Sequence, residues 1–440
     1  MGALFRVPAH DFERLRPILE PARAKNRPCA EPFVLDETDP VAVALRRQGF
    51  IVGAHIDERA RALKLIEAER DYGRHYIFLP HEDCNFRCTY CYEKFLRGKM
   101  TPEIVDAVKD LAAREIPDLP LLNVGWFGGE PCLALDVIGT LSEHFLTLCA
   151  AHDTKYRASI TTNGYFLSKE TVDDLLRWGI GHFQVTVDGS EEAHDTVRKL
   201  RGGQATYRRI FDNLLKMAER DDAFSVAVRV NFNPLTISTI EDFLDEAQEK
   251  LAPDQRFFLD FHAVGRWGGP NDAHMDVVQE QTAMQAKLGL IAQARCKGFS
   301  AASLVDALKP HGAACYAGKP QSLVIGSDGQ LYKCTVAFED PRNQIGHLRA
   351  GGVLEIDEQK FKAWTEPVSV SGKCGSCSFA AACQSRACPL ATIEASEPPC
   401  PFEPEDFETM VNFVAGAHRG NDTPQRKGGR RYETVAPVAH

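Results

Sequence analysis

Residues 76–91 read YIFLPHEDCNFRCTYC, and this stretch decides the fold. YIFLP (76–80) is a short apolar run of the strand type. The loop after it packs Cys84, Cys88 and Cys91 into eight residues. Thiolates bind iron–sulfur clusters, and one short loop can wrap three corners of a cubane. No fourth cysteine lies close by in the sequence. One iron is thereby left open for a bidentate ligand such as the amino and carboxylate groups of an amino acid. Zinc is the competing reading, but structural zinc prefers paired C-x2-C elements.

Downstream of this loop, strand-like and helix-like segments alternate. LLNVGWFGG (121–129), ASITTNG (158–164), HFQVTVDG (182–189), SVAVRVNFN (225–233) and FFLDFHAVG (257–265) complete a set of six strand-like runs. Helix-like stretches at 102–115, 135–150, 168–178, 205–220 and 238–250 separate them. Such alternation predicts parallel βαβ units. Six repeats are too few for a closed eight-stranded barrel, so the expectation is an α/β fold built as a partial (β/α)6 TIM-like barrel. In these barrels reacting groups sit on loops at the C-terminal strand ends. The cysteine loop, GGEP (128–131), TNG (162–164) and DGS (188–190) should therefore share one rim.

The chain has 440 residues, 44% apolar and 25% charged, which suits a soluble protein of about two or three domains. A net charge of −10 gives no basic footprint for nucleic acid. No apolar run is seen that reaches the roughly 18 residues of a membrane span, and the N-terminus lacks signal-peptide features. A cytoplasmic location with no membrane partner is expected. In that compartment clustered cysteines mark metal or catalysis more often than disulfides. Of fourteen cysteines, Cys29, Cys132, Cys149 and Cys296 are scattered. A second group comprises Cys315, Cys334, Cys374, Cys377, Cys383, Cys388 and Cys400.

C-x3-C-x2-C after a first barrel strand, with an aromatic before the last cysteine, resembles the signature of the radical S-adenosylmethionine (SAM) superfamily. The likeness runs over about residues 76–265. It implies a SAM-cleaving 4Fe–4S cluster on Cys84, Cys88 and Cys91, the catalytic centre, and SAM contacts from Gly128, Gly129, Glu130, Asn163 and Arg198. GGEP resembles the element that holds the SAM amino group, with Glu130 as acceptor. Asn163 would meet the ribose and Arg198 the carboxylate. The implied chemistry is reductive SAM cleavage to a 5′-deoxyadenosyl radical that takes a substrate hydrogen. A reducing donor such as ferredoxin or flavodoxin would supply the electron.

The second cysteine group resembles a SPASM domain, which carries auxiliary 4Fe–4S clusters. Within it SLVIGSDGQLYKC (322–334) reads as a hairpin turning at Asp328-Gly329. The resemblance implies a distal auxiliary cluster on Cys374, Cys377, Cys383 and Cys400, and a proximal one on Cys315, Cys334 and Cys388. The pattern departs from full ligation twice: no extra cysteine lies between Cys315 and Cys334, and the Cys383 to Cys388 spacing is one residue longer than the resemblance implies. The proximal cluster is then expected to have an open iron for a substrate thiol, unless a remote Cys296 or a non-sulfur ligand fills it. Cys132, directly after GGEP, is the spare cysteine nearest the site.

Domain boundaries follow: an N-terminal region at 1–70, the barrel at 71–270, a helical bridge at 271–312, the cysteine-rich domain at 313–405, and a C-terminal helix with a disordered tail at 406–440. Radical SAM/SPASM proteins mostly modify peptides or proteins, so the leading expectation is maturation of a ribosomally made peptide by a thioether or carbon–carbon crosslink. The N-terminal region would hold a leader peptide by strand addition, with GFIVGAHI (49–56) as exposed strand or, more blandly, core. Formylglycine formation by an anaerobic sulfatase-maturing enzyme is the alternative. Those enzymes usually place Asp after the hairpin cysteine, whereas Cys334 is followed by Thr335. A cluster carrier without radical chemistry is a third reading, which leaves GGEP, TNG and DGS without purpose.

Overall fold

The computed structural model describes residues 10–14, 16, 38–70, 72–302, 315–366, 377, 383, 388–395, 399–400, 409–410 and 413. Contacts divide the chain into two compact units, one of residues 72–302 with 320–364 and one of residues 1–71, 303–319 and 365–440. The hairpin region, expected within the cysteine-rich domain, thus belongs to the barrel unit.

The first unit is an open sheet whose centre is the expected barrel. Strands β1 (Arg74–His81), β3 (Leu121–Gly128), β4 (Lys155–Thr162), β5 (Ile180–Thr186), β7 (Ser225–Phe232) and β8 (Phe257–Ala263) lie in that order, all parallel. Helices α1 (Pro102–Glu115), α2 (Leu135–His152), α3 (Lys169–Arg177), α4 (Glu191–Val197), α5 (Tyr207–Ala218) and α6 (Ile240–Leu251) connect them. Period-2 patterning explains the layering. On β7, Val226, Val228, Val230 and Phe232 are fully buried, while Arg229 and Asn231 between them are half-buried. On β1, Phe78 packs 5.4 Å from Trp126 of β3 and stacks 5.6 Å from Phe145 of α2. The apolar face therefore meets the helices and the polar face lines the concave side.

The sheet extends beyond the six repeats. Short β9 (Ser300–Ala301) adds in parallel to β8. On the other edge β10 (Ser322–Ile325) adds in parallel to β1, and β11 (Gln330–Tyr332), β12 (Gln344–Arg349) and β13 (Val353–Ile356) continue antiparallel. The β10–β11 hairpin turns where expected, with Gly329 at φ 84°, a conformation that costs glycine little. A two-stranded ladder, β2 (Phe86–Cys88) with β6 (Arg198–Leu200), stands apart from the main sheet. Helix α7 is Glu280–Cys296.

Two expectations change. Pro131–His152 is long and apolar enough to cross a membrane by length and composition, contrary to the sequence reading. Its apolarity has another explanation: Val137, Ile138, Leu141, Phe145 and Cys149 are buried against the barrel. Residues 49–56, in the second unit, form turns and bends instead of a strand, and Phe50 is 42% exposed, so they make neither an edge strand nor a core. The helices described around them are Pro40–Arg47, capped by the Asp39 carboxylate, and Glu58–Arg70. The expected tail and much of 366–408 lie outside the described residues.

Candidate active site

The cysteine loop is held from both ends. At its start Glu82 accepts from the Ser327 amide (2.8 Å), the Ser327 hydroxyl (2.7 Å) and Arg97 Nε (2.7 Å), which ties the loop to the β10–β11 turn. The Asp83 carboxylate accepts from the Cys84 amide at 2.7 Å, Arg87 at 2.9 Å and Arg201. Arg87 also donates to the Cys84 carbonyl at 2.7 Å and lies over the Phe95 ring at 4.1 Å. These bonds hold a bend at Asn85, just before β2, in which the Phe86 amide donates to Cys84 Sγ at 3.3 Å. Amide donors to sulfur are a recurring means of tuning iron–sulfur ligands.

The GGEP loop is stitched onto this bend. The Gly129 amide donates to the His81 carbonyl and the Glu130 amide to the Asp83 carbonyl, both at 3.1 Å. A Cβ on Gly129 would stand 2.4 Å from the Asp83 oxygen, and one on Gly128, at φ 113°, 2.5 Å from that of His81. Only glycine permits this approach. Glu130 is fully buried, and its carboxylate is turned into the protein. Oε1 accepts from the Thr162 hydroxyl (2.7 Å) and the Cys132 amide (3.0 Å), and Oε2 from the Asn163 amide (2.8 Å). The expected acceptor for an amino group is thus a bracket between GGEP and TNG. Asn163 Nδ2 reaches on to Asn85 Oδ1 at 2.7 Å and towards Cys84 Sγ at 3.8 Å.

A second bracket closes the other side. In the β2–β6 ladder Cys88 pairs with Arg198. Buried Arg198 donates to the Tyr90 hydroxyl at 2.7 Å, and Tyr90 donates to the Asp188 carboxylate. Asp188 also accepts from the Asn231 amide at 2.9 Å. His194 accepts from the Asp188 amide at 3.1 Å and contacts the Thr206 hydroxyl at 3.1 Å, which donates to the Arg198 carbonyl. Burial, then the Arg198 charge, holds His194 well below the ordinary histidine range, so the ring is neutral and structural. Asp195 accepts from the first amides of α5.

Cys84, Cys88, Cys91, Gly128, Gly129, Glu130, Asn163 and Arg198 therefore gather at one rim, as the alternation required. Burial, with the Glu130 charge second, raises the Cys84 thiol; burial raises Cys88 against the opposing pull of Arg198; burial and Glu93 push Cys91 up to about 12. Thiols in such surroundings stay protonated until a metal displaces the proton. Among the described residues no three His, Cys, Asp or Glu side chains converge on a single ion. Two buried donors here have no partner among the described residues, Arg198 Nε and Asn85 Nδ2. Unpaired buried donors cost about 1–3 kcal/mol each and mark where a polar ligand group fits.

Residues 78–247 match the Radical SAM superfamily domain. The chain carries a radical SAM domain. Its sequence is 24% identical over 233 residues to Fe-coproporphyrin III synthase of Methanosarcina barkeri, covering 51% of this chain and 53% of that enzyme. It is 24% identical over 310 residues to GTP 3′,8-cyclase of Campylobacter fetus, covering 65% and 88%. The chain spans about half the length of the first curated relatives it matches, 53% and 56%. Among solved structures, anSMEcpe with bound AdoMet and Cp18Cys peptide aligns at TM-score 0.59 and 16% identity, over 78% of this chain and 97% of that one. SuiB of Streptococcus suis bound to precursor peptide SuiA aligns at TM-score 0.54 and 13% identity, over 88% and 86%. At such identities the likeness is one of fold.

The cysteines expected to hold auxiliary clusters divide between the units. Cys334 lies at the end of the hairpin in the barrel unit, where Asn343 accepts from its amide and donates to its carbonyl, both at 2.9 Å, and the Val336 amide donates to its sulfur at 3.4 Å. Cys315, Cys377, Cys383, Cys388 and Cys400 belong to the second unit. Cys374 lies outside the described residues. Cys132 is buried, 3.7 Å from the Thr162 hydroxyl, and burial raises its thiol well above the usual range. It packs beneath GGEP. Sequence reasoning missed Asp83, Tyr90 as a hydrogen-bonding residue, and Asn231. It also missed a polar group on the concave side made by Gln184, Arg229, Asp260 and His262. The signal was present, since each of these four interrupts an apolar strand at an inward position.

Proposed function

We propose that this chain binds a 4Fe–4S cluster through Cys84, Cys88 and Cys91 and cleaves SAM reductively to modify a ribosomally made peptide or protein by crosslinking. The observation that carries it is the rim itself: one three-thiol loop bonded through backbone and side chain to GGEP, TNG and the Arg198 segment. When bound, cluster and SAM supply a 5′-deoxyadenosyl radical that takes a hydrogen atom from the substrate. The protein's part is to hold and to shield. Its loop offers three thiols and no fourth, which suits a cluster with one iron for SAM. Gly128 and Gly129 let the backbone approach, Glu130 fixes the loop from behind, and Asn163 stands beside Cys84. Arg198 Nε and Asn85 Nδ2 are unpaired donors suited to the polar groups of SAM.

Auxiliary clusters on Cys315, Cys334 and Cys388, and on Cys374, Cys377, Cys383 and Cys400, belong to the same proposal, as does a flavodoxin- or ferredoxin-like electron donor. The amide donated to Cys334 sulfur supports a ligand role for that residue. Two solved structures of similar fold hold peptides, which supports a peptide substrate. Crosslinking is favoured over formylglycine formation because Thr335 follows Cys334, and a hydroxyl cannot serve as the base such an oxidation needs.

Anaerobically reconstituted, dithionite-reduced protein should form 5′-deoxyadenosine from SAM, read by mass spectrometry. Absence of that product with an intact cluster would overturn the reading. Co-expression with a short open reading frame from beside the gene should yield a peptide two mass units lighter per crosslink.

A further inference from the structure

The concave face of the barrel carries a charged group that the rim does not use. Arg229 and Asp260 are Cα partners across β7 and β8, as are Asn231 and His262 one pleat nearer the rim. Asn231 Nδ2 contacts the Tyr90 hydroxyl at 3.3 Å, which places this face directly below the cysteine loop. Arg229 donates to Asp260 Oδ2 at 3.3 Å, to Gln184 Oε1 at 3.5 Å and to Asn231 Oδ1 at 3.4 Å. His262 Nε2 meets Asp260 at 3.0 Å. Lys287 of α7 lies within electrostatic reach of both Arg229 and Asp260.

Two features make this more than a structural ion pair. All three contacts of Arg229 are long for a guanidinium beside a carboxylate, where charge-assisted bonds run about 2.7–2.9 Å. None of them uses Nη2, so the planar fork is only loosely held. Arg229 and Lys287 also lie close enough to repel one another, opposed by the carboxylates of Asp260 and, for Arg229, Asp188, and burial together with Arg229 keeps His262 below its ordinary range. Desolvated cations that repel one another inside a barrel are costly unless an anion completes them. The site is also reachable, with side-chain exposures of 27% for Arg229, 18% for Asp260 and 40% for His262. Burial lowers both Arg229 and Lys287, so an anion would relieve the desolvation of each.

We infer that Gln184, Arg229, Asp260 and His262, with Lys287 behind them, form a substrate subsite that anchors a carboxylate of the peptide beneath the radical centre. The inference rests on the proposed peptide substrate and deepens it. Arg229 takes the carboxylate through its fork, Gln184 adds an amide donor, and His262 holds the Asp260 carboxylate that the incoming anion displaces from Arg229. A residue anchored here would have its neighbours in the peptide held one pleat below Tyr90, near the proposed hydrogen-abstraction position. Substrate choice would then include an acidic residue or the chain's own C-terminus close to the modified position.

The test is binding to the full chain, followed by ligand-detected NMR, with no turnover involved. Four probes are compared: N-acetyl-L-glutamate N-methylamide, its neutral glutamine isostere, N-acetyl-L-alanine and inorganic phosphate. A carboxylate probe should bind roughly tenfold more tightly than the isostere, the scale of one charge-assisted pair. Preference for the glutamate probe assigns a side chain, and preference for N-acetyl-L-alanine a C-terminus. Arg229→Gln should remove that advantage and Arg229→Lys restore part of it. Asp260→Asn, which takes away the competing carboxylate, should tighten binding. Equal binding of the isostere, stronger binding of phosphate, or no effect of Arg229→Gln in a chain that melts normally would overturn the subsite. Deoxyadenosine formation, measured separately, reports on the radical reading alone.

Discussion

Cys88 and Arg198 are Cα partners in the β2–β6 ladder, so the middle thiol of the cysteine loop and the buried arginine of the next bracket move as one piece. Arg198 also reaches Tyr90 and lies 3.9 Å from the fully buried Asp188. Its replacement by alanine leaves that carboxylate without its ion-pair partner. Breaking such a buried pair costs about 3–5 kcal/mol, so Arg198→Ala should melt markedly earlier in calorimetry. Arg198→Lys keeps the charge but not the unpaired Nε donor. It should recover most of the melting temperature while SAM affinity, measured by calorimetric titration, stays weakened. Wild-type affinity in the lysine variant would remove Nε from the SAM site.

Gly129 tests whether the two loops need their close approach. A methyl group there would stand 2.4 Å from the Asp83 oxygen and 2.5 Å from its carbon, both rigid backbone atoms. Gly129→Ala should push GGEP off the cysteine loop and lower iron bound per chain after reconstitution. Gly98→Ala is the control, because an added Cβ there meets nothing within 4 Å. Equal iron content and equal charge-transfer absorbance in the two variants would show that the contact is dispensable.

The six barrel strands and five connecting helices were legible because each repeat carries its own signal, an apolar run of period 2 followed by one of period 3.6. Observed bounds such as Pro102–Glu115 fall where Pro102 at the first turn and the run 102–115 put them. The edges were not legible. β10 reads as a hairpin strand, and nothing local says that its outer side pairs in parallel with β1, residues about 245 positions earlier. β12 and β13 are short, six and four residues, and they gain their place only from sheet addition. At the site, the cysteines and glycines were legible as chemistry and as spacing. The role of Glu130 was not, because a motif shows the carboxylate but not which donors face it, and here all three come from this chain.

Asn343 organises the hairpin cysteine. It is fully buried, accepts from the Lys333 and Cys334 amides at 2.9 Å, and donates to the Cys334 and Ala337 carbonyls at 2.9 and 2.8 Å. Four backbone groups lose their partner in Asn343→Ala, at about 1–3 kcal/mol for each that water does not reach. Hydrogen exchange of residues 333–338 should accelerate by orders of magnitude, while strands β3 to β5 exchange as before. Asn343→Asp keeps the acceptor but loses both donated bonds, and should fall between the two. Unchanged exchange in the alanine variant would mean that this turn is held by other contacts.

His194 gives the stability a pH dependence whose sign can be worked out. Burial and Arg198 depress its folded-state value well below the ordinary one, so between the two the unfolded chain binds a proton that the folded chain refuses. Stability therefore rises with pH up to the ordinary histidine range near 6.5 and is flat in this group above it. Below that range each pH unit removes up to about 1.4 kcal/mol for one such proton. His182 and His262, also lowered by burial, add to the same slope. His194→Gln retains an acceptor for the Asp188 amide and a donor for Thr206 but cannot titrate. Melting temperature plotted from pH 5 to pH 8 should be shallower for this variant than for the parent, with the curves converging at the acid end. Parallel curves would mean that the ring can take up a proton within the fold, and that its bond from Asp188 is not what holds the DGS loop against β6.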